Sequence, residues 1–262
     1  MTEHVIVTLE KGVQVLTLNR ADKKNALTAE MYGALADGIE RAERDPAIRV
    51  TLITATGDAF TAGNDMGDFA KAGSTPVEEK PSEKPNVARF LENISKAEKP
   101  IVAAVNGLAV GVGVTMLLHC DLVYAANSAT FQVPFVNLGL VPEAASSLLL
   151  PRLVGLQKAG ELFLTGKKID SAKAEALGIV AEVFPDNALP GEALARAQAL
   201  AAKAPNAVKI TKALMRGRDR ELVAAQLETE AGYFASQLRS SEVKEAISAF
   251  FEKRPADFSK VS

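Results

Sequence analysis

The sequence predicts a layered α/β fold, and three observations carry the prediction. β-rich apolar runs alternate with helix-period segments over the first 139 of 262 residues, glycine-bearing loops follow two of the buried runs, and helical spacing fills most of the remainder. With 48% apolar residues the chain can bury a sizeable core.

The elements follow in order. Val5, Val7 and Leu9 alternate with other residues, and beyond Lys11-Gly12 the run Val13 to Leu18 completes a hairpin. Thr28 is a natural N-cap for a helix with Met31, Leu35, Ile39 and Ala42 on one face, which Asp45-Pro46 ends. Val50 to Ala55 reads as a β-branched strand and Gly57 to Asp68 as a glycine-containing loop. Lys71 to Asn86 is too polar and proline-rich to bury and reads as a mobile loop. Ile101 to Val105 is a buried strand, Asn106-Gly107 a turn, and Val112 to His119 a short apolar helix. After Gly139 helices dominate, over Ala144 to Leu153, Gln157 to Leu164, Ala172 to Leu177, Ala193 to Lys203 and Ala207 to Met215. Two more, Glu221 to Leu238 and Glu242 to Phe251, carry stripes such as Val243, Ile247, Phe250 and Phe251 that need a partner surface and are expected to be buried in an oligomer. The expected division is a core over residues 1–200 and a helical oligomerisation region over 201–262.

Composition narrows the function. A net charge of -2 gives no chain-wide field for nucleic acid or an anionic membrane. One cysteine, Cys120, forms no internal disulfide, and with only His4 and His119 beside it no thiolate metal cage is expected. The start lacks the basic and apolar regions of a secretory signal, and Ile101 to Leu118 is broken by Asn106, Gly107, Gly111, Gly113 and Thr115, so a cytoplasmic protein without a membrane span is expected. Gly111-Val112-Gly113 has no third glycine at the dinucleotide spacing, and Gly160 to Lys167 has five residues between its glycines where a phosphate loop has four. No Gly-x-Ser-x-Gly elbow is present, and His119, on an apolar helix, reads as a core histidine.

Chemistry points instead to the two glycine-bearing segments, Phe60 to Met66 and Val105 to Val114. Glycines around Val112 let a ligand approach backbone N–H groups at a helix start, and an N–H from the first loop would complete an oxyanion hole. Glycine spacing alone fits two ordinary tight turns equally well.

These segments, with Asn19-Arg20, Lys24-Asn25-Ala26-Leu27, Ala62-Gly63-Asn64-Asp65, Ala104-Val105-Asn106-Gly107, Cys120-Asp121, Leu138-Gly139-Leu140, Leu164-Thr165-Gly166, Ala176-Leu177-Gly178-Ile179-Val180 and Phe250-Phe251-Glu252-Lys253-Arg254, resemble the crotonase (enoyl-CoA hydratase/isomerase) superfamily over nearly the whole chain. The resemblance implies a crotonase-like spiral of ββα units with a C-terminal helical trimerisation region, a homotrimer or dimer of trimers, and acyl-CoA substrates with no separate cofactor. It implies oxyanion donors at the N–H groups of Asn64 and Val112. Lys24, Ala26, Ala62, Gly63, Asn64, Asp65, Met66 and Gly111 would lie along the substrate path, and Phe250 and Lys253, from a neighbouring subunit, would meet the nucleotide end.

Family hydratases carry two water-handling glutamates, whose positions correspond here to Thr115 and Phe135. An acid appears later, at Glu143, and resembles the base of the peroxisomal-type Δ3,Δ2-enoyl-CoA isomerases. A lone buried carboxylate would suit a proton shuttle, since burial raises its pKa toward neutrality. Position alone also fits a helix-capping acid at Glu143. Hydratase, hydrolase or decarboxylase chemistry on the same scaffold, or a catalytically silent CoA-binding protein, are the alternatives.

Overall fold

The computed structural model describes residues 2–69 and 84–261. The Lys71 to Asn86 loop expectation therefore lies outside the described residues except for its last three positions. Those three lead into a helix that the sequence reading did not assign.

The hairpin forms as expected: β1 (Val5–Glu10) pairs antiparallel with β2 (Val13–Leu18), Val5 opposite Leu18. From β2 onward one sheet grows in parallel through β3 (Val50–Ala55), β5 (Ile101–Val105), β7 (Leu122–Ala126) and β10 (Glu182–Phe184). A second sheet takes β4 (Ala59–Thr61), β6 (Leu108–Val110) and β8 (Thr130–Gln132) in parallel, with β9 (Ile169–Asp170) antiparallel at its edge. Consecutive strands thus alternate between the sheets: β3 then β4, β5 then β6, β7 then β8. That alternation is the expected spiral of ββα turns, and it stacks the loops after β4, β6 and β8 side by side.

Three-residue strands are too short to show a period of two, which is why β4 was hidden in the Gly57 to Asp68 loop and β6 followed a turn unrecognised. All five residues of β5 are buried, as expected for a strand covered on both faces.

Helix α1 (Ala29–Arg44) starts at Thr28, whose hydroxyl accepts the Met31 N–H at 3.3 Å, and buries Met31, Leu35, Ile39 and Ala42. It packs against α2 (Asn86–Lys96), the helix missed from sequence. The Val112 to His119 segment begins as α3 (Val112–Thr115) and tightens to a 3-10 turn over Met116–His119. Then come α4 (Ser146–Val154), α5 (Leu156–Thr165), α6 (Ser171–Ala176), α7 (Leu189–Ala201) and α8 (Pro205–Arg216), each within a few residues of its expected span. The last two are α9 (Arg220–Gln237) and α10 (Ser241–Glu252).

On α10, Val243, Ala246 and Ala249 are buried, whereas Phe250 and Phe251 are 55% and 60% exposed in the single chain and lie against one another, ring centroids 5.6 Å apart. Their expected burial is therefore not met within one copy. Among the described residues no helix is long and apolar enough to cross a membrane.

Candidate active site

The two glycine-bearing loops meet. Gly63, at φ 92°, lies so close to the next loop that a Cβ there would sit 3.1 Å from the Val110 carbonyl oxygen. Gly111, at φ 55° and ψ −116°, turns the chain from β6 into α3 through a conformation open to glycine. A Cβ on Gly113 would stand 2.6 Å from the Thr61 methyl, so both glycines of this pair are steric requirements of the close loop approach or the turn.

The register also fixes where backbone donors point. Leu27 bridges Asn64 in parallel, donating its N–H to the Gly63 carbonyl at 2.8 Å and accepting the Asp65 N–H at 2.9 Å. In such a bridge the central residue's own N–H faces the other way, so the Asn64 N–H is turned from Leu27. Val112 is the first residue of α3, where an N–H has no acceptor within the helix. Asn64 and Val112 line one small cavity of about 60 Å³ with Ala62, Gly63, Met66 and Gly111, walled by Pro134 and Phe135. Phe135 is buried beside Phe163, so this wall is apolar as expected.

Asn64 also borders a cavity of about 490 Å³, with Glu143 on its wall and Leu91, Leu227, Ala231 and Phe234 supplying apolar surface. Glu143 follows the 3-10 turn Val136–Leu138, and its neighbours Ala144 and Ala145 hold left-handed φ values of 62° and 54°. Glu143 is buried, and that desolvation pushes its pKa up to about 7, against a hydrogen bond from the Thr115 hydroxyl at 2.6 Å that lowers it and the charge of Glu230 that raises it further. Thr115, which stands at a hydratase glutamate position by resemblance, is therefore a donor to the remaining acid. Glu143 lies two residues before Ala145, the N-cap of α4, with its carboxyl turned to the Thr115 hydroxyl.

Tyr32 donates its hydroxyl to the Asn64 side-chain oxygen, and its phenol is kept neutral by burial and by Glu143 nearby. Asp65, expected on the substrate path, borders the larger cavity but has its carboxylate committed to Arg20 at 2.7 Å and to the Gly67 N–H at 2.9 Å; the Arg20 bond holds it below the usual range. Lys24 and Ala26 sit in a turn pinned by buried Asn25, which donates to the Thr56 and Ala59 carbonyls at 2.8 Å each, while the Lys24 carbonyl accepts the Ala62 N–H. Phe250 and Lys253 border neither cavity.

His119 is the core histidine the sequence suggested: buried, 2.8 Å from the Ala144 carbonyl, and lowered by burial to about 4. A further cavity of about 500 Å³ borders His119, Lys212 and Arg216, but the two cations are spent on Asp121 at 2.7 and 3.2 Å. Sequence reading missed Tyr32 and Glu230, whose partners lie 32 and 83 residues away. No local pattern marks either.

Residues 8–261 match the family described as enoyl-CoA hydratase/isomerase. Enoyl-CoA delta isomerase 2 of Rattus norvegicus is 38% identical over 252 residues, covering 96% of this chain but 64% of that protein, so the chain spans less than two thirds of this relative's length. The 1,2-epoxyphenylacetyl-CoA isomerase of Escherichia coli is 34% identical, covering 98% and 99% of the two chains. The crystal structure of an enoyl-CoA hydratase/isomerase from Pseudoalteromonas atlantica superposes with a TM-score of 0.92 at 52% identity, covering 98% of this chain and all of that one. The chain therefore belongs to the enoyl-CoA hydratase/isomerase family, the crotonase superfamily, whose fold it adopts.

Proposed function

We propose that the chain is a Δ3,Δ2-enoyl-CoA isomerase in which Glu143 carries the proton. The observation behind the reading is a buried carboxylate, Glu143, raised to about 7 by burial, on the wall of a largely apolar cavity that Asn64 shares. A carboxylate tuned to that value both accepts and returns a proton near neutral pH.

The steps balance within the substrate. Ionised Glu143 takes the proton from the carbon next to the thioester, and the electron pair moves onto the thioester oxygen to form a dienolate. The N–H groups of Asn64 and Val112 hold that oxygen, each such donor being worth about 2.7–4 kcal/mol in comparable sites. Glu143 then delivers the proton to the γ-carbon, and the double bond moves from the 3,4 to the 2,3 position. No electrons leave the substrate, so no redox or metal cofactor is called for. Tyr32 fixes the Asn64 side chain and Thr115 the Glu143 carboxyl.

Lys24, Ala26 and the Ala62 to Met66 loop are proposed to guide the coenzyme A portion, with Asp65 shaping the loop through Arg20. Phe250 and Lys253 are proposed to act from a neighbouring copy in a trimer or dimer of trimers, because both Phe250 and Phe251 are left uncovered in one chain. A cytoplasmic setting suits the buried free thiol of Cys120.

The test compares two reactions at one chain length. A 3-enoyl-CoA should be converted to the conjugated 2-enoyl-CoA with a kcat/KM well above that for hydrating a 2-enoyl-CoA, and Glu143→Gln should abolish the first while leaving thioester affinity close to that of the parent. Hydration equal to or faster than isomerisation would make the chain a hydratase. Retained turnover in Glu143→Gln would remove Glu143 from the chemistry.

A further inference from the structure

The turn that presents Glu143 adopts an unfavourable conformation, and the structure shows what restrains it. Two consecutive alanines, Ala144 and Ala145, sit at φ 62° and 54°, each costly for a residue with a Cβ and maintained only where surrounding contacts over-determine it. One restraint is the His119 ring at the Ala144 carbonyl, 2.8 Å away. The other comes from the distant helix α9: Glu230 reaches across to accept the Ser147 N–H at 2.9 Å, the Ser147 hydroxyl and the Ala145 N–H. Gln226, one turn earlier on α9, donates to the same Ser147 hydroxyl at 2.9 Å.

Glu230 is 5% exposed, and both Ser147 donors meet the same oxygen, Oε1. Burying a carboxylate is costly even with such bonds, and an uncharged residue would fill the same space more cheaply. The cost is explicable if the charge itself acts on its neighbour.

We propose that Glu230 is a positioning residue for Glu143: it clamps the Ala144-Ala145 turn from helix α9 and places a second buried acid behind the base. The proposal rests on Glu143 being the base, and it adds a second carboxylate to a site whose sequence suggested one. Leu227 and Ala231 of the same helix line the cavity, whereas Glu230 does not.

The other groups facing Glu143 leave Glu230 as the distinctive partner. The Thr115 hydroxyl stabilises the ionised form. Tyr32 is held neutral far above the working range, and His119, lowered to about 4, is neutral there too. Asp65 is paired with Arg20, and Asp68 accepts the Ala29 N–H at 3.1 Å. Glu230 is itself raised by burial.

The test is the kcat/KM profile for 3-enoyl-CoA isomerisation from pH 5 to 9 in the parent, Glu230→Gln and Glu230→Ala. Glu230→Gln keeps an oxygen for the Ala145 and Ser147 N–H groups but loses the charge, so ionised Glu143 is less opposed and the acid limb should move to lower pH, by about half a unit or more. Glu230→Ala loses the clamp as well, and kcat should fall ~10-fold or more with KM little changed, because the base is displaced while the thioester path is intact. If Glu230→Ala fails to fold, Glu230→Gln decides alone. An acid limb unmoved in Glu230→Gln overturns the proposal whatever happens to kcat. Loss of turnover in Glu143→Gln together with an unmoved limb in Glu230→Gln would remove this inference only, whereas turnover surviving in Glu143→Gln would remove the functional reading beneath it.

Discussion

Replacing Glu143 by glutamine should make the protein more stable at alkaline pH while silencing it. Burial holds Glu143 at about 7, where an ordinary glutamate titrates at 4.5. Between those values the folded state binds the proton and the unfolded chain does not, so stability is full below pH 4.5 and is lost as the pH rises through 7. Each pH unit in that window corresponds to about 1.4 kcal/mol, so the parent should lose about 2–3 kcal/mol between pH 5 and pH 8 on this account alone. Glutamine cannot ionise, and its Oε1 can still accept the Thr115 hydroxyl. The stability difference between Glu143→Gln and the parent should therefore grow in favour of the variant by that amount from pH 5 to pH 8. Urea unfolding at both pH values, at one protomer concentration, measures it, and the comparison at equal pH cancels the titrations that do not depend on Glu143. Parallel curves, with a difference constant to about 0.5 kcal/mol, would show that Glu143 is not held neutral by its surroundings and would take away its fitness as a base.

Four further outcomes follow from named contacts. Thr115→Val removes the hydrogen bond that favours ionised Glu143, so the acid limb of kcat/KM should move to higher pH, opposite in sign to Glu230→Gln. Tyr32→Phe frees the Asn64 side chain and should lower kcat several-fold with a smaller change in KM, read by steady-state kinetics. Gly113→Ala drives a methyl to 2.6 Å from the Thr61 methyl and should destabilise by ~1–3 kcal/mol in urea titration, a neutral result refuting the close packing of the two loops. Light scattering should give a trimer or hexamer, since a monomer would leave Phe250 and Phe251 in water.

Part of this site was legible before any coordinates. The close loop approach was not legible from the spacing of Gly63, Gly111 and Gly113, which fits two ordinary turns equally well; it shows in the clashes that a Cβ on Gly63 or Gly113 would make across the loops. Glu143 was found by resemblance, and the structure buries it. Tyr32 and Glu230 were not legible, since each reaches its partner only when the spiral brings together elements far apart in the chain, Glu230 from a helix whose sequence pattern suggested only an oligomer surface. Helix α2 escaped because it begins where the proline-rich run ends, and β4, β6 and β8 because three residues carry too little periodicity.

The pairing of β4, β6 and β8 has a consequence for how this protein tolerates change. The proposed oxyanion donors are main-chain groups, aimed by strand register and by the Leu27 bridge to Asn64, so no side chain encodes them. Alanine at position 64 would keep the N–H and delete only the bond to Tyr32, and alanine at 112 would disturb packing alone. A systematic alanine scan would thus register only side-chain losses at these positions, the Tyr32 bond among them, and leave the donors themselves unprobed. Proline substitution, which removes the N–H itself, is the perturbation that would register them. By the same token, drift in the side chains around those loops can retune the acid that works beside the donors without touching the donors.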